Sequence, residues 1–206
     1  MINKGFSKGL ENLMIEKNHF LTNHFLVAMP TLTNLYFNRS VVYICEHNEK
    51  GAVGIVINQP LQSFRVNFSE IMQTIVGSAS KPLLSTEFPI LCGGPSHPER
   101  GFVIHVPSGE WQSSLRMNSE ISVTTSKDIL QAIAKHQGPD KFIFSLGYAN
   151  WRAGQIEEEI INNFWLTAVP ANSTILFDIP FNKRWLETIN SVGVDINKLV
   201  YSSGHA

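Results

Sequence analysis

The sequence predicts a mixed α/β (α+β) protein, with an antiparallel-rich or barrel-like sheet and helices packed outside. Three observations predict it. Short β-branched and aromatic runs recur between residues 25 and 178, punctuated by Gly, Pro and Asn. Four other stretches carry helical spacing. The two kinds alternate irregularly, which fits neither strict βαβ order nor an all-β chain.

Residues 1–18 are polar and read as a tail, and residues 19–206 as one compact domain with room for two sub-lobes. Phe25 to Met29 is an apolar strand stopped by Pro30. Ser40 to Cys45 and Ala52 to Ile57 flank a hairpin connection, His47 to Gly51, and complete an antiparallel meander. Their unbroken hydrophobicity predicts cover on both faces. Ser69 to Val76 reads as a helix and Ser78 to Glu87 as a loop. Pro89 to Cys92, Gly101 to Val106 and Ile121 to Thr124 are strands. Thr125 or Ser126 is expected to cap a helix from Lys127 to His136. Lys141 to Leu146 is a strand that runs into a turn, Gly147 to Trp151. A helix follows over Ala153 to Asn163, its Glu157, Glu158 and Glu159 suiting the helix dipole. Leu166 to Val169 and Thr174 to Asp178 read as strands, and Asn182 to Val192 as a helix stopped by Gly193.

The charge narrows the function classes. Lys plus Arg is 16, Asp plus Glu is 17, and the net charge is −1. Nucleic-acid affinity rests on phosphate neutralisation by a concentrated cationic surface, and no basic run exists here. Direct nucleic-acid binding is therefore disfavoured. The apolar runs are far shorter than the ~20 residues that span a bilayer, so no membrane association and a cytoplasmic location are expected. Cys45 and Cys92 lie in apolar runs without a CxxC or zinc spacing and read as inert thiols. Glu46-His47, His24, His97, His105 and His205 match no metal-ligand spacing. No metal and no cofactor are expected.

Two segments are candidates for a ligand or partner surface. Gly93, Gly94 and Pro95 follow a strand and lead to His97, Glu99 and Arg100. The glycines permit positive φ and close approach, and the polar trio would project from one loop. The segment is either an anion or partner site or a solvated turn. The second runs from Gly147 to Gln155. There Tyr148 and Trp151 flank a ligand or, as the acidic helix start favours, pack into the core. With Arg39, these segments would form a cleft with a mildly positive edge. The leading reading is a regulatory or binding protein whose partner is an unknown protein or small molecule. The alternative is a hydrolase or transferase for a small anionic substrate, with His97, Glu99 and Arg100 as acid–base and anchoring groups.

Nine segments in order carry a family resemblance. They are FLVAMP (25–30), FNRSVVYICEH (37–47), GAVGIVINQP (51–60), CGGPSHPERGFVIH (92–105), TTSKDILQAI (124–133), LGYANWRAGQIE (146–157), NFWLTAVPA (163–171), LFD (176–178) and GHA (204–206). In these the chain resembles the bacterial YqgE/AlgH family over nearly its whole length. The resemblance implies a cytosolic, barrel-containing α/β fold and an association with transcriptional control, with no catalytic residues to carry over. The chain departs from the family pattern at Asn34 to Tyr36, where an Asp-Pro-like pair is usual. It departs again at Ser96, usually small and apolar, and at Asn150, usually glycine.

Overall fold

The structure is a computed structural model that describes residues 20–61, 89–109 and 111–193. The expected tail over 1–18, the helix Ser69 to Val76, the loop Ser78 to Glu87 and the terminal Gly204 to Ala206 lie outside the described residues.

Nine strands form one sheet: β1 (His24–Ala28), β2 (Val41–Asn48), β3 (Gly51–Val56), β4 (Ile90–Cys92), β5 (Ser96–Val106), β6 (Ser114–Arg116), β7 (Ser122–Thr124), β8 (Lys141–Arg152) and β9 (Trp165–Pro170). Among the described residues three α-helices accompany them: α1 (Lys127–Ala134), α2 (Gln155–Ile161) and α3 (Phe181–Ser191). The strand order is β6-β7-β5-β8-β3-β2-β1-β9, with β4 paired in parallel to β8 and every other pair antiparallel. The protein is thus α+β and sheet-dominated, a curled half-barrel with β6 and β9 as its edges.

The curl follows from burial. One apolar cluster draws Phe25 and Val27 from β1, Tyr43 from β2, Ile55 from β3, Leu91 from β4, Ile104 from β5, Val123 from β7 and Ile143 from β8. Strands that far apart in the order share a core only if the sheet wraps around it. The outer face carries two further clusters. Ile129, Leu130 and Ile133 of α1 cover Val103, Phe144 and Leu146. Ile156 and Ile160 of α2 cover Leu26, Val42, Ile44 and Trp151. Strands β1 and β2 are therefore apolar at every central position, as their composition predicts. Helix α3 does not pack outside: Trp185 and Ile189 enter the inner cluster, and Trp185 Nε1 donates to the Ala28 carbonyl at 2.9 Å.

Three expectations need correction. Gly147 to Trp151 is no turn but the second half of β8, which runs unbroken for 12 residues. Thr174 to Asp178 is a π-helical turn closed by Ile179 N–H donating to the Thr174 carbonyl at 3.0 Å. Its Ile175 and Leu176 enter the inner core, and so short an apolar run has no readable period. At α1, Ser126 is the N-cap residue but makes no side-chain cap bond. Asp128 instead accepts from Ile129 N–H at 2.9 Å and from Gln112 N–H at 3.0 Å, which ties the preceding loop to the helix start.

The centre of the sheet is a backbone crossing. On one edge of β8, residues 149–152 pair with β3 and residues 144–146 with β4. Gly93 fills the handover: its N–H donates to Leu146 O at 2.7 Å and its carbonyl accepts from Val56 N–H at 2.8 Å. Gly147 opposes it with φ +72°, and a Cβ on Gly93 would sit 2.2 Å from Gly147 O. Across Gly147 the pleat reverses. Phe144 and Leu146 point to the outer clusters before it, Ala149 and Trp151 after it. A regular strand would turn the second pair inward, so the positive φ re-aims half of β8.

Gly147→Ala adds left-handed strain of ~1–2 kcal/mol and an overlap with Gly94 O, 2.6 Å from the new Cβ. It is expected to cost more than ~2 kcal/mol. Gly154 also has positive φ, +74°, but nothing lies within 4 Å of its Cβ position, so Gly154→Ala should cost only about 1 kcal/mol. Urea unfolding midpoints of the two variants measure the difference.

Candidate functional site

The crossing determines where the expected site residues go. Gly93 and Gly94 are buried, and a Cβ on Gly94 would meet the Tyr148 carbonyl carbon at 2.3 Å. Their lack of a side chain serves backbone-to-backbone contact, so neither glycine is a recognition surface. Pro95 is exposed beyond them. From Ser96 the chain joins β5, pairing Ser96 with Tyr148 and then Gly101 with Leu146. Four residues, His97 to Arg100, thus oppose the single residue Gly147 and bulge outward.

The bulge is ordered by its own side chains. His97 holds φ +48°, which a non-glycine residue rarely adopts. Its ring stacks on Tyr148 with centroids 5.7 Å apart and planes 6° apart. Its Nδ1 lies 2.9 Å from Glu99 Oε1. Ser96 Oγ donates to Asn150 Oδ1 at 2.5 Å, so two positions that depart from the family pattern are each other's partners. Hydrogen bonding at its own backbone N–H, then the His97 contact and the Arg100 charge, hold the Glu99 carboxyl below the usual carboxylate range.

Tyr148 connects the bulge to the inner side of the sheet through Phe102, edge-on at 5.6 Å. Phe102 belongs to the wall of a hollow of about 330 Å³, whose lining includes Cys45, Glu46, Val53, Leu115 and Val123. The lining contains a carboxylate and no Lys or Arg. None of the expected site residues lines this hollow.

The remaining expected residues lie elsewhere. Trp151, three residues along the strand from Tyr148, points to the opposite face and is buried beneath α2. It and Trp165 both donate Nε1–H to Glu159 Oε2 at 2.8 Å. Gln155 accepts from Arg152 N–H at 3.0 Å and donates to Glu159 Oε1 at 2.9 Å, so it shapes the start of α2. Arg39 places its guanidinium over the Trp185 ring, 5.3 Å from the centroid, on α3. The three acids of α2 have individual partners in addition to the dipole. Glu157 meets His47 Nε2 at 2.9 Å, Glu158 meets Arg152 at 2.6 Å, and Glu159 holds the two indoles.

Among the described residues no group of three or more His, Cys, Asp or Glu stands where it could hold a metal ion. No described helix is long and apolar enough to cross a membrane. Both cysteines are buried and free, and burial pushes the Cys45 thiol up to about 12. Burial also raises Cys92, partly offset by its bond to the Gly94 carbonyl.

An open, curled sheet with this glycine crossing and polar bulge defines a sheet-dominated α+β protein. The chain belongs to the AlgH-like family, whose profile matches residues 25–197. It is 44% identical over 187 residues to a UPF0301 protein of Nitrosococcus oceani, covering 91% of this chain and 97% of that one. A Serratia proteamaculans UPF0301 protein is 42% identical, covering 90% and 99%. The solution structure of the AlgH protein from Pseudomonas aeruginosa superposes with TM-score 0.72 at 42% identity, covering 91% and 97%. A crystal structure from Corynebacterium diphtheriae, 21% identical with TM-score 0.66, shares the fold.

Two outcomes follow. A depressed Glu99 carboxyl favours the folded state above the unfolded carboxylate value, and this contribution fades as pH falls through the folded value. In His97→Ala the Glu99 midpoint should move partway back up, read by carbon-13 NMR of its side chain. Cys45 should resist iodoacetamide in the native protein and react only on unfolding, measured by mass spectrometry.

Proposed function

We propose that this chain is a cytosolic regulatory or binding protein whose recognition surface is the β5 bulge with Tyr148. The observation that supports it is an exposed polar trio, His97, Glu99 and Arg100, in which the Tyr148 stack orders His97 and His97 in turn meets Glu99 at 2.9 Å. Side chains ordered before an encounter lose less entropy on binding, so a rigid exposed cluster is suited to recognition. Any effect on transcription would run through a protein or small-molecule partner, because a net charge of −1 without a basic run disfavours direct DNA binding. An acid–base role for His97 and Glu99 has less support. Their side chains are 57% and 59% exposed, and among the described residues no concave wall beside them would hold a substrate against the pair.

The test compares tagged wild type with the His97→Ala, Arg100→Ala double variant. Proteins captured from a bacterial lysate, and small molecules released on denaturation, are identified by mass spectrometry. A species held by wild type and lost by the double variant, with unchanged thermal stability, is the expected outcome. Identical capture by both proteins would remove the bulge as the binding surface.

A further inference from the structure

The hollow of about 330 Å³ lies on the concave side of the sheet. Residues of β2 and β3 form one wall, and residues of β5, β6 and β7 the other. Its Cys45 and Val123 belong to the inner cluster, and Phe102 packs against that cluster. The hollow is therefore an opening at the rim of the inner core. Register builds the wall of β5 to β7. Leu115 of β6 pairs with Val123 of β7, and Val123 with Ile104 of β5. Paired residues share a face, and Phe102 lies two residues from Ile104, so Phe102, Val123 and Leu115 all face inward.

An irregularity builds the opposite wall. Along β2, Tyr43 and Cys45 belong to the inner cluster and Val42 and Ile44 to an outer one. Strict alternation would send Glu46 outward and His47 inward. The pairing of β2 with β3 shifts between Ile44 and Glu46, which leaves Cys45 as an extra residue. Beyond the shift Glu46 pairs with Val53, and His47 with Ala52 of the outer cluster. His47 accordingly meets Glu157 on α2. Glu46 instead shares a face with Cys45, and both line the hollow. A bulge often re-aims a side chain in this way, and here the side chain is a carboxylate.

The lining selects a ligand by charge and by apolar contact. Among the described lining residues Glu46 carries the only charge. Cys45, Val53, Phe102, Leu115 and Val123 are apolar, and burial keeps the Cys45 thiol protonated. Asn48 Nδ2 donates to Glu46 Oε1 at 2.6 Å, which orients the carboxylate and leaves Oε2 to a ligand. Leu115 is a large apolar side chain on an edge strand and is 51% exposed, so a ligand's apolar body would cover it. The volume falls within the ~300–1,000 Å³ of small-molecule sites, which pair apolar walls with a few polar groups. An anionic ligand would face Glu46 with no described Lys or Arg in the lining to offset the repulsion. A protonated amine would gain a charge-assisted hydrogen bond there.

The geometry points to this hollow as a binding site for a small organic cation, an apolar body that ends in a protonated amine. The body lies against Phe102, Val123 and Leu115, and the ammonium donates to Glu46 Oε2. No covalent step is involved. The site uses none of the bulge residues and does not depend on the reading given to them.

The full-length protein is titrated with phenylbutylamine, phenylbutanol and phenylbutanoate, and its backbone amides are followed by proton–nitrogen NMR. The titrations run at about pH 7, where carboxylates and alkylamines are both charged. Saturable amide shifts are expected at Cys45, Glu46, Val53, Phe102, Leu115 and Val123. The amine should bind about threefold more tightly than the alcohol, the gain of an exposed ion pair, and the butanoate most weakly. Glu46→Gln should bring the amine to the alcohol's Kd and leave the alcohol's Kd unchanged, with folding checked by the same spectra. Absence of saturable shifts at these residues would overturn the proposal. So would equal affinity for amine and alcohol in wild type, or a folded Glu46→Gln that keeps the preference. If Glu46→Gln does not fold, Leu115→Lys replaces it: the added cation should make butanoate bind more tightly than the amine, and an unchanged order overturns the proposal as well.

Discussion

The fold depends on a backbone contact that leaves no room for a side chain, where Gly93 and Gly94 cross Gly147. Strand β8 must serve β3 along part of one edge and β4 along the rest. Two strands cannot share an edge without a gap in the ladder, and an unpaired buried amide is costly. Gly93 closes the gap by bonding both ways, to Leu146 and to Val56. That needs the two backbones nearly in van der Waals contact, which any Cβ at Gly93 or Gly147 would prevent. The positive φ at Gly147 then reverses the pleat, sending Trp151 to the α2 core and Tyr148 to the bulge. Packing of α2 and presentation of the polar trio thus follow from one local conformation.

Around this centre, several buried or half-buried polar groups are matched individually. Glu159 accepts from two indoles and an amide. Arg184, buried with its guanidinium lowered to about 10 by desolvation, donates Nε–H to the Ile179 carbonyl at 3.0 Å and bonds the Ile57 carbonyl as well. Such bonds cost most when one partner is lost, since the other is stranded away from water. They fix how α2 and α3 sit on the sheet more firmly than apolar contact alone, which tolerates sliding.

Much of the architecture was legible because hydrophobic runs report burial directly. The meander of β1 to β3, strands β4 and β9, and the three described helices all follow from period and punctuation. Strand β6 was not legible: Ser114, Leu115 and Arg116 are all exposed, and three residues carry no period. The 147–151 segment was misread because Gly followed by aromatics and Asn spells a turn locally, while the pairing that keeps it extended comes from β3, about a hundred residues away. Gly93 and Gly94 stood out as a pair of glycines directly after a strand. Whether a glycine admits a ligand or another stretch of backbone is set by what lies opposite, and sequence alone does not show that.

The ion pairs help separate architecture from recognition. Lys141 on β8 meets Asp178 in the π-helical turn at 2.6 Å, and His47 on β2 meets Glu157 on α2 at 2.9 Å. Arg152 at the end of β8 meets Glu158 on α2. Each joins different elements, so each has a structural use. His97 and Glu99 are two residues apart in one bulge and join nothing. An exposed pair contributes little to stability while ordering two side chains and, here, a left-handed histidine. A plain turn of Asn or Gly would close the same gap with less strain. Stability therefore does not account for the bulge, and that deficit is the physical reason to look for its use in contact with another molecule.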